Sequence, residues 1–341
     1  MPPRRSLQIA VLSPHYFASS DPLPPLCDTH LGGVGAHTVA HCGATRENLC
    51  MKYSRLWLAL SILAFGACKL PPASMVDAPT ALEGHVRYLS EHEPARQWSN
   101  IDALDSVALY ISAHLKAGGA RVEMQEFTVQ GQVYRNVRAF YGPQDGARIL
   151  IGAHYDVAGE FAGADDNASG VAALIEIGRE LAKREWSVPI ELVAYTLEEP
   201  PFFRTESMGS AIHARTLKAE GVELRGLINL EMVGYFTDEP DSQDYPLESM
   251  HSAYPTVGDF IAVVGRTDDA TFATEIHAAM NAANDLNTVI LLAPPSLTGV
   301  DFSDHLNYWA EGFTAVMITD TSFYRNPNYH EATDTADTLD Y

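Results

Sequence analysis

Hydrophobic residues recur along the chain with two spacings that alternate. Over residues 82–118 they return every three or four positions, as on one face of a helix, and Gly118 and Gly119 end this pattern. Further helices are predicted at 169–185 and 270–285. Strands are predicted at 121–129, 132–141, 147–153, 190–196, 227–232, 260–264, 289–292 and 315–318. This alternation predicts an α/β fold, with helices on both faces of a mixed, mostly parallel central sheet.

Composition narrows the class of protein. The 341 residues are 46% hydrophobic and 19% charged, which suits one globular catalytic domain preceded by leader and linker segments. A formal net charge of −22, with no basic cluster in the catalytic region, argues against a nucleic-acid partner. All cysteines lie in the first fifth of the chain, at Cys27, Cys42, Cys50 and Cys68. Disulfides and thiolate chemistry are therefore excluded from the later part.

The front of the chain predicts export. Residues 51–68 have the layout of a signal peptide, with basic residues before an apolar run that is too short to span a membrane. Small residues before Cys68 resemble a lipobox, so we expect a periplasmic or outer-membrane lipoprotein of a bacterium, with simple secretion as the alternative. Residues 1–50 show no periodic pattern and are interpreted as a non-native or disordered upstream extension. A linker at 69–81 would precede the catalytic domain at 82–341.

Polar residues stand at the ends of four predicted strands. His154 and Asp156 close one strand two positions apart, so one can bind a metal while the other steadies it. Asp166, in a loop directly before a helix, is placed to bridge two cations. Ligands of such sheets gather at the carboxyl ends of strands, so we expect these side chains to meet.

The later strand ends add further donors. Glu198 and Glu199 follow the strand at 190–196, and because neighbouring side chains diverge, one can bind a metal and one can act as a base. Glu231 ends another apolar run, and His330 lies in a polar loop near the C-terminus. Nitrogen and oxygen donors without thiolate suit zinc, with cobalt or manganese as substitutes. A carboxylate-bridged pair of ions suits hydrolysis by a shared water.

The chain resembles the co-catalytic dizinc exopeptidases of clan MH, which include secreted bacterial aminopeptidases, glutamate carboxypeptidase and, more distantly, glutaminyl cyclase. The strings GAHYD, GADDNASG, LEE, NLEMVGYF, SDH and YHEATDT occur in the family's order, from about residue 82 to the end. The resemblance implies the zinc exopeptidase (phosphorylase/hydrolase-like) fold, a cis peptide between Asp166 and Asn167, and a peptide or small aminoacyl substrate.

The resemblance also implies roles for individual residues. The metal ligands would be His154 and Glu231 on the first zinc, Asp166 bridging both ions, and Glu199 and His330 on the second. Glu198 would be the general base, Tyr329 would stabilise the oxyanion, and Asp156 would support His154. His305 in the SDH string is expected to be structural.

Two departures from the family pattern stand out. Well-studied aminopeptidases have Asp where this chain has Glu231, which puts the affinity of that metal position in question. The chain also stops eleven residues after His330, where relatives continue into a closing helix, so a shortened C-terminus is expected.

Four functions are compared within the family that the chain resembles. An aminopeptidase is preferred because a carboxylate-rich site attracts a substrate ammonium group. A carboxypeptidase for acidic C-termini would need basic residues in its pocket, for which Arg204, Arg215 and Arg266 are candidates. A glutaminyl cyclase would not keep His154 as a ligand, and a non-catalytic binding module would have lost ligands or the base. The acidic loop at 237–255 is either a lid or a solvated loop.

Overall fold

An eight-stranded sheet runs through the part of the chain that the computed structural model describes, residues 78–283 and 286–341. Its strands are β1 Arg121–Val129, β2 Gln132–Tyr141, β3 Arg148–His154, β4 Ile190–Tyr195, β5 Leu224–Glu231, β6 Phe260–Gly265, β7 Asn287–Leu292 and β8 Ala315–Thr319. The helices are α1 Ala78–Ser90, α2 Ile101–Ala117, α3 Gly170–Leu181, α4 Gly209–Ala219, α5 Ala270–Ala283 and α6 His305–Ala310. The predicted upstream segment, signal peptide and Cys68 lie outside the described residues.

The sheet is mixed and mostly parallel, as predicted. Its strand order is β1-β2-β4-β3-β5-β8-β6-β7. Strands β4, β3, β5 and β8 form a parallel centre, while β1, β2 and the β6–β8 pairing are antiparallel. The four central strands therefore end at the same edge of the sheet, where ligands bind in folds of this kind.

Alternate residues of the central strands feed two hydrophobic cores. Ile149 and Ile151 of β3 belong to a core that includes residues of α1, α2, α3 and α5, whereas Leu150 between them belongs to a core that includes residues of α4 and α6. Successive side chains of a strand point to opposite faces, so two separate cores require helices on both faces of the sheet. Buried on both sides, β3 and β4 carry near-continuous apolar sequences.

The elements differ from the sequence prediction at a few places. The single helix expected at 82–118 is two helices, because residues 91–100, with a cis peptide at Glu93–Pro94, turn the chain between them. Helix α1 begins at Ala78, within the expected linker. Helices α4 and α6 were not predicted. No helix among the described residues combines the length and apolarity needed to cross a membrane.

Candidate metal centre

The predicted site residues converge at the carboxyl edge of the parallel centre. His154 and Glu231 are the last residues of β3 and β5. Glu198 and Glu199 follow β4, after Leu197 in a left-handed conformation. His330 comes from the loop after β8, also at a positive φ of 54°. The side chains of His154, Glu198, Glu199 and Glu231 are buried, although all four lie at or just beyond the end of a strand.

Two groups of three donors share one aspartate. On one side of Asp166, Nε2 of His154 lies 3.3 Å from Oδ1 of Asp166 and 3.4 Å from Oε2 of Glu231. On the other side, Nε2 of His330 lies 3.1 Å from Oδ2 of Asp166 and 3.3 Å from Oε2 of Glu199. The two oxygens of Asp166 thus face different histidines, which is the arrangement of a bridging ligand.

The donor spacing fits zinc. Tetrahedral ligands at about 2.0–2.1 Å from a zinc ion lie about 3.3 Å apart, close to the separations within both groups. Ligand atoms of His154, Asp166 and Glu199 lie within 4.8 Å of one another, so the groups adjoin. The buried Oε1 of Glu199 has no hydrogen-bond partner among the described residues. Because buried polar atoms are normally paired, this atom is suited to an ion.

Burial raises the pKa values of the three glutamates in the cluster, whereas at Asp166 the two histidines outweigh burial and lower the pKa. Burial raises the pKa of Glu198 well above its usual range, an effect that His154 opposes and Glu199 reinforces. Burial and the nearby Asp166 raise the pKa of Glu199 to about 7. Burial lowers the pKa of His330, but Asp166 and Glu199 outweigh this effect and raise it to about 10. The carboxylates outnumber the histidines, so the cluster stabilises positive charge.

Asp156 ties the first histidine to the acidic pair. Its carboxylate accepts hydrogen bonds from the backbone N–H groups of Glu198 and Glu199, both at 3.1 Å. Nδ1 of His154 lies 3.2 Å from the Asp156 carbonyl oxygen and 3.6 Å from its carboxylate, so the Nδ1 edge of the ring faces Asp156. The opposite nitrogen, Nε2, is thereby directed at Asp166 and Glu231, as expected of a supporting residue.

The loop of Asp166 is fastened to the end of β5. The peptide bond between Asp166 and Asn167 is cis, as the resemblance implied. The Asn167 side chain donates to the carbonyl of Leu230 at 2.8 Å and accepts from the N–H groups of Met232 and Gly170, both at 3.1 Å. A side chain at Gly170 would place its Cβ 2.3 Å from the Asn167 amide oxygen. Asp166 and Glu231 are therefore held by one hydrogen-bonded unit.

Sequence reasoning missed a serine that contacts Glu231. Ser303 Oγ donates to Oε2 of Glu231 at 2.5 Å and accepts from the Asn229 side chain at 2.8 Å. Within the same SDH string, Nε2 of His305 donates to the carbonyl of Val300 at 2.8 Å. The SDH string was the signal in the sequence that pointed to this region, but it was interpreted only through His305 and not through Ser303.

A cavity of about 290 Å³ opens beside the two donor groups. Apart from the acidic side chains, its walls are mainly apolar and include residues of β6, β7 and β8. Tyr329, the residue before His330, also lines the cavity. Burial, reinforced by Asp166 and Glu199, raises the pKa of Tyr329, so its phenol stays protonated and can donate. The acidic segment at 237–255 contributes Gln243, Asp244 and Met250 to the wall.

The arginines proposed for a carboxypeptidase pocket lie elsewhere. No lysine or arginine is among the described residues that line the cavity. Arg204 pairs with Asp301, Arg215 binds the carbonyl of Glu206, and Arg266 pairs with Asp269. Of the described residues in the cavity wall, only His330 of the donor groups can carry a positive charge.

The chain is similar in sequence to other known proteins. The chain is 46% identical over 280 residues to the uncharacterized protein YfbL of Escherichia coli strain K12, a match that covers 80% of this chain and 86% of YfbL. It is 28% identical over 237 residues to a probable zinc metalloprotease of Pyrenophora tritici-repentis, which covers 60% of this chain and 47% of that protein. The chain thus spans about half of that fungal relative.

Solved structures share the fold at lower identity. BSAP, a zinc aminopeptidase from Bacillus subtilis, aligns with a TM-score of 0.58 and 13% identity over 76% of this chain and 89% of its own. A glutaminyl cyclase from Bacteroides thetaiotaomicron aligns with a TM-score of 0.55 and 21% identity over 77% and 92%. The sequence model of Peptidase family M28 matches residues 136–341, which include every residue of both donor groups. The chain belongs to peptidase family M28 and is a metallopeptidase.

Proposed function

We propose that this protein is a zinc aminopeptidase that uses two zinc ions, for which cobalt or manganese can substitute. The observation that carries the proposal is the pair of donor groups that share Asp166, each with one histidine nitrogen 3.1–3.4 Å from two carboxylates. His154 and Glu231 would hold one ion, Glu199 and His330 the other. The name of the fungal zinc metalloprotease supports the choice of metal.

Glu198 is the proposed general base. Its Oε2 lies 4.0 Å from Nε2 of His154, farther than the ligand oxygens, so it stands beside the first donor group. When bound, the ions would supply an acidified water and a polarised scissile carbonyl. Glu198 takes a proton from the attacking water and delivers it to the leaving amine as the C–N bond breaks. A pKa raised by burial suits both transfers.

Tyr329 and Asp156 complete the proposed machinery. The protonated phenol of Tyr329 donates a hydrogen bond to the oxygen that gains negative charge during attack on the carbonyl carbon. Asp156 keeps the acidic pair and His154 in register through its hydrogen bonds to Glu198 and Glu199. Its role is to position these groups and not to exchange a proton with the substrate.

The cavity favours the N-terminal end of a peptide as substrate. Its acidic end suits a free ammonium group, and its apolar walls, such as Val264, Leu291 and Met317, suit a large apolar side chain. A substrate carboxylate would face Asp166, Glu199 and Glu231 without a lysine or arginine from the described lining. This charge distribution argues against a carboxypeptidase for acidic C-termini.

The position of His154 argues against a glutaminyl cyclase, and the presence of all expected ligands and of the base argues against a non-catalytic binding module. A glutaminyl cyclase is not expected to use His154 as a ligand, whereas here its Nε2 faces two carboxylates. A binding module would be expected to lack the base, whereas Glu198 is buried at the cavity wall.

We also propose that the protein is exported and anchored by a lipid on Cys68, without a nucleic-acid partner. The signal-like segment at 51–68 and the net charge of −22 support this location. Metabolic labelling with a radioactive fatty acid should mark the wild type and not Cys68→Ser. Label in both proteins, or in neither, would exclude this anchor.

A substrate panel tests the function. The metal-free protein, reloaded with zinc, is assayed on anilides of leucine, phenylalanine, alanine and glutamate, on the N-acetylated leucine anilide, on an N-blocked dipeptide and on a glutaminyl peptide. We expect zinc-dependent release, fastest from leucine and phenylalanine and absent after N-acetylation. Cleavage of the N-blocked dipeptide alone would indicate a carboxypeptidase, and pyroglutamate formation alone would indicate a cyclase.

A further inference from the structure

A buried arginine and a buried aspartate hold the short segment that leads to the bridging ligand. Arg96 lies between α1 and α2 and is 2% exposed, and Asp334 lies four residues after His330 and is 1% exposed. Neither residue belongs to the donor groups around Asp166. Arg96 also precedes residue 136, where the match to the family begins.

Arg96 binds the carbonyl side of this segment. Its guanidinium donates to the carbonyl oxygens of Ala162 and Gly163, both at 2.5 Å, and to that of Leu89 at 2.9 Å. Within the described part of the chain, its Nε has no hydrogen-bond partner. One planar group thus fixes two successive peptide units of the loop to the end of α1, a task for which the fork of an arginine is suited and a lysine is not.

Asp334 binds the N–H side of the same segment. Its carboxylate accepts hydrogen bonds from the N–H groups of Asp165 at 2.9 Å and Asp166 at 3.2 Å. Its carbonyl oxygen accepts from the N–H group of Ala164 at 3.2 Å. Three consecutive amides, ending at the bridging ligand, are therefore held by one residue.

The segment has little room to adopt another conformation. Gly163 has a φ of +58°, and a Cβ there would lie 2.3 Å from the carbonyl oxygen of Asp166 and 3.0 Å from Nη2 of Arg96. Arg96 also contributes charge. Burial lowers its pKa to about 10, although Asp334 and Asp166 oppose this effect, so it remains a cation at neutral pH beside the acidic cluster.

We propose that Arg96 and Asp334 are positioning residues that preset Asp166 for metal binding, by holding residues 162–166 through carbonyls and amides respectively. The inference rests on the proposed metal site. Groups that orient metal ligands typically change metal affinity by about 10–100-fold when they are replaced. This size of effect is expected although neither side chain binds the ion.

The test compares Arg96 and Asp334 with a surface ion pair from the same two parts of the chain. Arg96→Lys loses the forked contact with two successive carbonyl oxygens, and Asp334→Asn loses one of the two carboxylate oxygens that accept from Asp165 and Asp166. Arg87→Lys and Asp337→Asn alter an ion pair of 2.6 Å between α1 and the C-terminal loop that is exposed at the surface. Circular dichroism and thermal melts establish folding. Amide hydrogen exchange of residues 165 and 166 is measured in the metal-free proteins, and cobalt affinity and absorption spectra are measured after loading.

We expect Arg96→Lys and Asp334→Asn to exchange these amides at least about 10-fold faster, to bind cobalt about 10–100-fold more weakly and to change its absorption bands. The two surface variants should match the wild type within about twofold, because exposed ion pairs contribute little. Wild-type exchange and cobalt affinity in folded Arg96→Lys and Asp334→Asn would overturn the inference.

Asp334→Asn alone decides the matter if Arg96→Lys does not fold. Failure of the proposed function is distinguishable, because a wild type that binds no metal refutes the metal site, while exchange in the metal-free proteins still tests the two contacts.

Discussion

Two buried acidic sites of this protein differ in how many positively charged side chains balance their negative charge. On β4, the carboxylate of Glu191 receives Arg138 at 2.6 Å, Arg148 at 2.5 Å and His213 at 3.1 Å. At the carboxyl edge of the sheet lie four acidic side chains, those of Asp166, Glu198, Glu199 and Glu231. Among the described residues, the only basic side chains within 4.0 Å of them are His154 and His330.

The pKa values express the same difference. Although burial raises the pKa of Glu191, His213 and Arg138 outweigh it and lower the pKa to about 2. Glu199 is as deeply buried, yet its pKa is raised to about 7 by burial and by Asp166. A buried charge is stable when it is paired. The Glu191 carboxylate is paired with cations of the chain itself, whereas the cluster around Asp166 keeps an excess of buried acid, which suits a metal ion.

The largest effect is expected at the base. Glu198→Gln keeps the shape of the side chain but cannot accept a proton, so kcat should fall by about 10³-fold, equivalent to about 4 kcal/mol, with zinc content unchanged. Steady-state kinetics on leucine anilide, with metal analysis of the same samples, measure this change. Glu206→Gln, an exposed position on the same loop, is the control. An active Glu198→Gln enzyme would exclude Glu198 as the base.

The second-largest effect is expected when the buried ion pairs of Glu191 are removed. Glu191→Gln should lower the free energy of unfolding at pH 7 by about 3 kcal/mol, from a pKa lowered from 4.5 to about 2. Because the folded pKa is depressed, this stability is present above pH 4.5 and is lost as the pH falls towards 2. Denaturant titrations from pH 7 to 3 should therefore show a shallower acid dependence for the variant.

Zinc affinity separates the two clusters further. Glu191→Gln should bind zinc as the wild type does, since its cluster has cations of its own. Weakened zinc binding in a folded Glu191→Gln protein would contradict the division between a structural cluster and a metal-binding cluster.

A smaller effect is expected where the metal-binding cluster does have a partner. Ser303→Ala removes the hydrogen bond to Oε2 of Glu231 and should weaken zinc binding by about 10-fold, or about 1.4 kcal/mol. Competition with a chromogenic chelator measures the change. Ser252→Ala, at an exposed serine, should leave the affinity unchanged. Equal affinities of Ser303→Ala and the wild type would show that Glu231 needs no such support.

The sequence predicted the strands and the gathering of polar residues well, for a physical reason. His154 and Glu231 end apolar runs, and parallel strands bring such ends to one edge whatever their distance along the chain. In these strands the local hydrophobic pattern and the position in the folded sheet lead to the same prediction. The eight strands were placed within a few residues of their observed bounds.

The supporting residues could not be predicted in this way. Arg96 lies in a polar segment without periodicity, and its acceptors at 162 and 163 are 66 and 67 positions away along the chain. Helix α4 was missed because its buried positions are mostly small, such as Ala211 and Ala214, and helix α6 because it has only six residues. Such contacts depend on how elements pack, which no local pattern records.

The number of zinc ions bound per chain tests the central claim most directly. Metal-free protein is dialysed against buffered zinc and its zinc content is measured by mass spectrometry, beside a Glu199→Gln variant. The shared aspartate predicts two ions per wild-type chain and one in the variant. One ion or none in a folded wild type would contradict the two-metal site.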